Sequence, residues 1–124
     1  MMNVIVSGSE GFIGKLLVTR LINEGYNVIT FDYKDGDIAQ KSSLNGFDKY
    51  DIKHFFHLAA KNFVPDSWKD PITFYNVNII GTTNVLAFCK KNKCSLTYIS
   101  SYVYGNPEYL PIDENHKLQS NNPY

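Results

Sequence analysis

Three glycines near the start of the chain have the spacing of a phosphate-binding turn. Gly8, Gly11 and Gly14 lie three residues apart and directly follow a short apolar run. Gly8 would let the chain leave a strand through a backbone conformation closed to most side chains, and Gly11 would let a pyrophosphate approach the backbone. Gly14 would let a helix pack on the strand, and the unpaired N–H groups around Phe12 and Ile13 would face the phosphates. The pattern indicates a dinucleotide cradle; an ordinary strand-to-helix turn is the alternative.

A carboxylate stands where such a cradle requires one. Asp32 ends the next apolar run, about two dozen residues after Gly8. An acid at this position accepts hydrogen bonds from the adenosine ribose hydroxyls and repels a 2′-phosphate, which favours NAD over NADP. Two alternatives stay open, because Asp32 could be a solvated strand-end residue and Lys34 could serve a phosphate.

Small residues and hydroxyls follow two later apolar runs. Leu58, Ala59 and Ala60 end a run that begins at Lys53, and small side chains there leave room for a flat ligand. A pair of hydroxyls, Ser100 and Ser101, follows the run 96–99. Because the carboxyl ends of parallel strands share one sheet edge, we expect these residues to lie beside the glycines, where a substrate would meet the cofactor.

Four further residues have more than one interpretation. Asp37 and Ile38 would lie near the adenine, or they are plain turn residues. His54 and His57 lie in the run 53–58 without a partner visible in the sequence, and we interpret them as structural histidines. We expect no metal site, because no cluster of histidines or cysteines completes one.

The elements that must position these residues alternate between strand and helix. The pattern predicts a helix that ends at Gly25 with Ile13, Leu16, Leu17 and Leu21 on its apolar side, then a strand over 27–32. It further predicts a short helix over 40–44, a strand over 53–58, an irregular stretch over 62–69, a helix over 70–91, a strand over 96–99 and a loop over 106–124. This is an α/β pattern, typical of a Rossmann-type doubly wound parallel sheet with one layer trimmed between residues 32 and 53.

The helix over 70–91 begins with a strong start signal, Asp70 as the N-cap and a proline in the first turn. The spacing places an apolar set broadly on one face: Ile72, Tyr75, Ile79, Val85, Leu86, Phe88 and Cys89. The amide of Asn78 stands out on this largely apolar segment.

Composition excludes several classes of partner. The 124 residues carry 12 basic and 12 acidic side chains, so the balanced charge offers no field for nucleic acid or an anionic membrane. Cys89 and Cys94 are spaced too widely for a Cys-x-x-Cys pair, and no apolar run approaches membrane-spanning length. We expect reduced thiols and a cytoplasmic location.

Taken together, the motifs resemble the N-terminal part of the extended short-chain dehydrogenase/reductase family, the NAD-dependent sugar epimerases and dehydratases. The resemblance rests on the glycine motif from Gly8 to Gly14, on His57-Leu58-Ala59-Ala60, on Asn78-Ile79-Ile80-Gly81-Thr82, and on the run from Ser100 to Gly105, which is similar to a Ser-x-x-Val-Tyr-Gly signature. In this family the second motif lines the nicotinamide side, and the third implies that Asn78 belongs to the cofactor site.

The resemblance implies epimerisation of a nucleoside-diphosphate sugar, with NAD as the cofactor. Ser100 would hydrogen-bond the reacting sugar oxygen, and Tyr124, in the sequence Pro-Tyr, would take the hydroxyl proton; Ser101 replaces Ser100 if the register differs by one. A dehydratase is disfavoured, because its Asp and Glu are Ser101 and Tyr102 here. The alternatives are a nucleotide-sugar ketone reductase and a non-catalytic NAD-binding module.

The family pattern also places a lysine four residues after the tyrosine, beyond Tyr124. A phenol has a pKa near 10, and that lysine helps to lower it, so we expect no turnover by residues 1–124 alone. We expect these residues to form the N-terminal part of an NAD-binding domain, without its C-terminal part and the substrate domain. The resemblance also implies a homodimer that pairs through the long helix.

Overall fold

The central strand of the sheet is β1 (Asn3–Ser7), an apolar run with neighbours on both sides. In the computed structural model, which describes residues 1–124, β1 pairs with β2 (Asn27–Phe31) on one side and with β3 (Ile52–His57) on the other. β4 (Ser95–Tyr98) pairs with β3 at the opposite edge. All pairs are parallel, in the order β2-β1-β3-β4, which confirms the predicted class of fold.

Helices cover both faces of the sheet because side chains of β1 alternate between them. Val4 and Val6 pack with Leu21 of α1 (Phe12–Asn23) on one face. Ile5 points to the other face, where it joins Phe55 and Val85 in the larger core. The sheet is therefore doubly wound, as the alternation of elements predicts.

A long helical stretch, residues 71–92, covers the second face and consists of three segments. α3 (Pro71–Tyr75) leads into a π-helical turn (Asn76–Ile80), and α4 (Gly81–Asn92) follows without a break in helical backbone angles. The Asp70 carboxylate accepts a hydrogen bond from the Thr73 N–H at 3.1 Å, which confirms the predicted N-cap. Hydrogen bonding from Thr73 lowers the pKa of Asp70.

Two local predictions need correction. The stretch predicted as irregular contains a short helix, α2 (Val64–Lys69), because its proline stands in the first turn, where a missing N–H costs nothing. The connection between β2 and β3 holds only a 3-10 helix (Lys41–Phe47), so the trimmed layer is confirmed. The short helix predicted over 40–44 begins one residue later and ends three residues later.

The predicted apolar faces of both long helices were partly wrong. Leu21 is buried in α1, but Ile13 and Leu16 are exposed. In the long helix the buried apolar side chains are Phe74, Val85, Phe88 and Cys89, whereas Ile72, Tyr75, Ile79 and Leu86 are exposed. The long helix is apolar on two sides, and the π-helical turn shifts the register between them, so periodicity alone could not choose the buried side. No helix has the length and apolarity needed to cross a membrane.

Candidate functional site

The site lies where the chain changes direction across the sheet. β1 connects through α1 to β2 on one side, and β3 lies on the other, so a crevice opens between the carboxyl ends of β1 and β3. Two adjoining clefts occupy this crevice, with volumes of about 500 and 460 Å³. They share Gly8, Gly11, Leu58, Ala60 and Asn62, so a ligand long enough to fill the first reaches the second.

Predicted cofactor residues line these clefts. The first cleft includes Gly8, Gly11, Asp32, Asp37, Ile38, Leu58, Ala59 and Ala60. The second cleft includes Phe12, Ile13 and Gly14, together with Ile99, Ser101, Tyr102 and Tyr124.

Two of the three glycines are required by close backbone packing. Gly8 has a φ of +70°, and a Cβ there would lie 2.8 Å from the Ala59 nitrogen. A Cβ on Gly14 would overlap the Gly8 carbonyl oxygen, so only glycine lets α1 pack this closely on the end of β1. At Gly11 the fit is tight rather than impossible, with 3.2 Å from a Cβ to the same oxygen.

The start of α1 presents backbone donors to the clefts. No side chain caps this helix, and its first turn carries no acidic residue. The first hydrogen bond runs from the Lys15 N–H to the Gly11 carbonyl at 3.0 Å, so the N–H groups of residues 12–14 have no acceptor within the helix. The side chains of Phe12 and Ile13 are exposed at 87% and 57%. Free N–H groups at the positive end of a helix, above glycines that admit no Cβ, fit a pyrophosphate.

Asp32 holds the glycine turn and still has acceptor capacity. One carboxylate oxygen accepts from the Glu10 N–H at 2.8 Å, and the other accepts from the Tyr33 N–H at 2.8 Å. A carboxylate offers about four lone-pair positions, so two remain for ligand hydroxyls at the rim of the first cleft. Lys34, which could have served a phosphate, forms an ion pair with Glu10, and that hydrogen bond raises the pKa of Lys34.

Asp37 and Ile38 combine the two interpretations that the sequence left open. Both line the first cleft. Asp37 also closes a turn by accepting the Ala39 N–H at 2.9 Å, and Ile38 is 5% exposed against Gly81 of α4. The residues are therefore turn and core residues whose edges face the ligand space.

A buried hydrogen-bond chain joins the carboxyl ends of β1 and β3 to the long helix. The Ala59 N–H donates to Ser7 Oγ at 3.3 Å, and Ser7 Oγ lies 2.8 Å from His57 Nδ1. His57 Nε2 lies 3.0 Å from Thr82 Oγ1, which donates to the Asn78 carbonyl at 2.6 Å. Because the single Thr82 hydroxyl hydrogen is used, His57 donates from Nε2 and accepts at Nδ1. Desolvation lowers the pKa of His57 to about 4, so the ring is neutral.

Asn78 lies outside both clefts, where the resemblance implied direct contact with the cofactor. Its Nδ2 donates to the Lys61 carbonyl at 2.9 Å, and its Oδ1 accepts from the Lys61 N–H at 2.9 Å. Both ends of the amide are therefore used to hold the loop after β3.

The end of the chain returns to the second cleft through a closed loop. The Gln119 N–H donates to the Val103 carbonyl at 2.8 Å, which joins the two ends of the loop. The buried ring of His116 stacks on Tyr109 with 3.8 Å between centroids. This closure brings Tyr124 to the wall of the second cleft.

Of the two predicted catalytic residues, the structure places only Tyr124 in a cleft. Ser100 is exposed and does not line either cleft, whereas Ser101 lines the second cleft with Tyr124. The choice between Ser100 and Ser101, which the sequence left open, stays a prediction. Tyr102, the residue after Ser101, has a φ of +62°, a conformation that costs a bulky residue of order 1–3 kcal/mol.

Ser7, Thr82 and Tyr102 were not predicted as site residues. Ser7 gave a weak signal, as a hydroxyl at the end of an apolar strand. Thr82 lies in the motif from Asn78 to Thr82 and Tyr102 in the run from Ser100 to Gly105, but the sequence gave neither a role, because their placement depends on contacts distant in the sequence and on a backbone angle.

The parallel sheet, the glycine turn and the carboxylate after β2 define a Rossmann-type dinucleotide-binding protein. The chain belongs to the NAD dependent epimerase/dehydratase family, whose model matches residues 4–124. It is 31% identical to the UDP-glucose 4-epimerase of Pisum sativum over 98% of this chain and 43% of that protein. The chain thus spans less than half the length of the relatives that it matches.

Solved structures agree with the family and include two activities. The UDP-glucose 4-epimerase of Bifidobacterium longum, in complex with NAD+ and UDP, is 28% identical with a TM-score of 0.92, over 99% of this chain and 44% of that one. The dTDP-4-dehydrorhamnose reductase of Bacillus anthracis, in complex with NADP, is 31% identical with a TM-score of 0.91, over 100% of this chain and 45% of that one. Overall similarity therefore does not separate epimerase from reductase.

Proposed function

We propose that this chain forms the NAD-binding part of an enzyme that epimerises a nucleoside-diphosphate sugar. One observation carries the proposal: the two clefts adjoin at Gly8, and Ser101 and Tyr124 line the second. A dinucleotide that fills the first cleft would therefore reach the hydroxyls that act on the sugar. Similarity to UDP-glucose 4-epimerases, one of them solved in complex with NAD+ and UDP, supports the same class of substrate and cofactor.

The residues of the two clefts fit NAD part by part. The N–H groups at the start of α1 would bind the pyrophosphate, and the free lone pairs of Asp32 would accept from the adenosine ribose. The pairing of Lys34 with Glu10 leaves that cation engaged and supports NAD over NADP. When bound, NAD supplies a site that accepts and returns a hydride.

In the second cleft, the chain's own residues would handle the proton of the sugar hydroxyl. Tyr124 would take that proton, and Ser101, or Ser100 in the other register, would hold the sugar oxygen by a hydrogen bond. A phenol with an ordinary pKa near 10 is a weak base at neutral pH. Residues 1–124 alone are therefore proposed to bind NAD without turnover, as the N-terminal part of the domain.

Two alternatives have specific support. The reductase from Bacillus anthracis is as similar to this chain as the epimerases are, so reduction of a nucleotide-sugar ketone is the second candidate. A non-catalytic NAD-binding module would need only the first cleft. Epimerisation converts the sugar without an external reductant, whereas reduction consumes stoichiometric NADH or NADPH. A non-catalytic module would bind NAD and convert no sugar.

Assembly and location belong to the proposal as well. Exposed apolar side chains follow one side of the long helix, namely Ile72, Tyr75, Ile79 and Leu86, and they support a homodimer built on that helix. The free thiols of Cys89 and Cys94 support a cytoplasmic location.

The test is turnover by the full-length gene product. We expect interconversion of UDP-glucose and its C4 epimer without added NADH, and Tyr124→Phe should remove most of it because the proton acceptor is lost. Tyr50→Phe, which also removes a phenolic hydroxyl but lies outside both clefts, is the matched control. Near-normal turnover by Tyr124→Phe would contradict the proposed role, and consumption of NADH with a keto-sugar would favour the reductase.

A further inference from the structure

His116 is the one buried residue in the part of the chain that follows Cys89. It is 7% exposed, and every other residue after Cys89 is exposed or half-buried. Neither core of the sheet includes a residue beyond Leu96, so the ring of His116 is buried inside its own loop. A polar ring that is buried outside the core requires partners in its surroundings.

The backbone of the same loop supplies those partners to both ring nitrogens. The Asp113 N–H donates to Nδ1 of His116 at 3.3 Å, and Nε2 lies 3.1 Å from the Tyr109 carbonyl. Because a carbonyl can only accept, Nε2 carries the ring hydrogen and donates it. The rings of Tyr109 and Tyr104 pack on the imidazole, with 3.8 and 6.0 Å between centroids. No ring nitrogen is left for a ligand or a proton transfer, so His116 acts by holding the loop.

The run Val103-Tyr104-Gly105 closes the same loop at its start. The Val103 carbonyl accepts from the Gln119 N–H at 2.8 Å, and Tyr104 supplies one of the rings on His116. Gly105 has a φ of +63°, and a Cβ there would overlap the Gln119 carbonyl oxygen. Each residue of this run therefore contacts the returning part of the loop, from His116 to Gln119.

This closure brings together two residues of the second cleft. Ser101 lies two residues before Val103, and Tyr124 lies five residues after Gln119. Because Val103 and Gln119 are joined, the segments that flank the loop return to one place, and Ser101 and Tyr124 line the same cleft. Closing a loop costs chain entropy, which contacts inside the loop must offset. Without those contacts Tyr124 would be free to move away from the cleft.

We propose that His116 is a positioning residue for the proton acceptor: its ring keeps the loop between Val103 and Gln119 closed, and the closed loop holds Tyr124 in the second cleft. The inference rests on the proposed function and adds a residue outside the cleft on which the placement of Tyr124 depends. Proton transfer falls steeply when the acceptor is misplaced, so the effect should be on kcat. The first cleft contains no residue of the loop, so NAD binding should not depend on His116.

Kinetics of the full-length gene product test this role. His116→Ala should lower kcat with UDP-glucose about tenfold or more, and Gly105→Ala, which opens the loop at its other end, should do the same. In both variants the Kd for NAD should stay within about twofold. His54→Ala is the matched control, because both ring nitrogens of His54 are also bonded, to Ser95 and Thr97, but the residue lies outside both clefts. Its kcat should stay within about twofold of the wild type.

A double variant separates positioning from a general loss of structure. If His116 acts through the Tyr124 hydroxyl, His116→Ala should lower the residual rate of Tyr124→Phe by less than about twofold, because the group that it positions is already absent. A loosened fold would instead lower the rate by the same factor whether or not that hydroxyl is present.

Each result has a defined consequence. A wild-type enzyme with turnover and a His116→Ala variant with unchanged kcat would overturn the inference and leave the proposed function intact. Equal rate losses with and without the Tyr124 hydroxyl would also overturn it, as would a tenfold loss of NAD affinity in His116→Ala. If His116→Ala does not fold, the same comparison of kcat with NAD affinity in Gly105→Ala decides. Absence of turnover in the wild-type protein would end both proposals together.

Discussion

The side-chain amide of Asn78 is bonded at both ends to the backbone of Lys61, with Nδ2 to the carbonyl and Oδ1 to the N–H, each at 2.9 Å. The π-helical turn that contains Asn78 thereby holds the loop that follows Ala60 at the wall of the first cleft. The side chain of Asn78 thus connects the long helix to a residue that lines the first cleft.

Removal of this amide should weaken NAD binding as well as lower the free energy of unfolding. Asn78→Ala is expected to lower the free energy of unfolding by about 1–3 kcal/mol, since it breaks two hydrogen bonds. It should also weaken NAD binding about tenfold, because the loop must be ordered on binding. Asn92→Ala is the control: its amide also makes two bonds, to Phe88 and Asp48, at the far end of the helix. Urea unfolding and calorimetric titration measure both quantities; equal NAD affinities in the two variants would contradict the positioning role.

Stability should depend on pH through His57. Its pKa is about 4 in the folded chain and 6.5 in the unfolded chain, so the unfolded state binds more protons between these values. The free energy of unfolding should therefore be fully developed above pH 6.5 and fall by about 3 kcal/mol as the pH decreases to 4.

Desolvation also lowers the pKa of His54, which adds a fall in the same direction. His57→Gln should flatten most of the dependence measured by urea unfolding, whereas His54→Gln should leave most of it. A wild-type stability that is constant from pH 7 to pH 4 would show that His57 is not buried in a neutral form.

The contact between Gly14 and Gly8 predicts a strict requirement for glycine. Gly14→Ala would drive a methyl group into the Gly8 carbonyl, which is backbone and cannot rotate away, so we expect a loss of about 1–3 kcal/mol or more. Gly46→Ala, with no atom within 4 Å of the new Cβ, should change the free energy of unfolding by no more than about 0.5 kcal/mol. Thermal unfolding followed by circular dichroism compares them, and equal stabilities would show that α1 packs less closely on β1.

Asp32 should set the preference between the two nicotinamide dinucleotides. Asp32→Asn removes the negative charge that repels a 2′-phosphate, so NAD should bind about tenfold more weakly while NADP gains relative to it. Asp51→Asn removes an exposed carboxylate at the opposite end of β3 and should leave both affinities unchanged. An unaltered NAD to NADP ratio in Asp32→Asn would remove the carboxylate from the ribose site.

The sequence sufficed for the parts of the site that depend on local geometry. Gly8, Gly14 and Asp32 are determined by a turn and a strand end, so their spacing predicted the order of elements and the first cleft. Hydrogen-bond partners far apart in the sequence could not be paired in this way. Ser7 and His57 are 50 residues apart and His57 and Thr82 are 25 apart, and no local pattern marks such partners.

The failures have the same origin. The exposed position of Ile79 depends on how a two-sided apolar helix rotates against the sheet, which periodicity does not decide. The exposure of Ile72, Tyr75 and Leu86 on the same helix has the same cause. Tertiary contacts therefore decided which side of the helix is buried.

The central claim, that the first cleft binds NAD, is tested most directly by calorimetric titration of residues 1–124 with NAD and then with NADP. We predict that one NAD binds per chain and that NADP binds more weakly. The double variant Gly11→Val, Asp32→Asn should lose the heat signal of NAD binding. Tighter binding of NADP would contradict the assignment of Asp32. Absence of binding by a chain whose circular dichroism shows the folded α/β structure would contradict the claim itself.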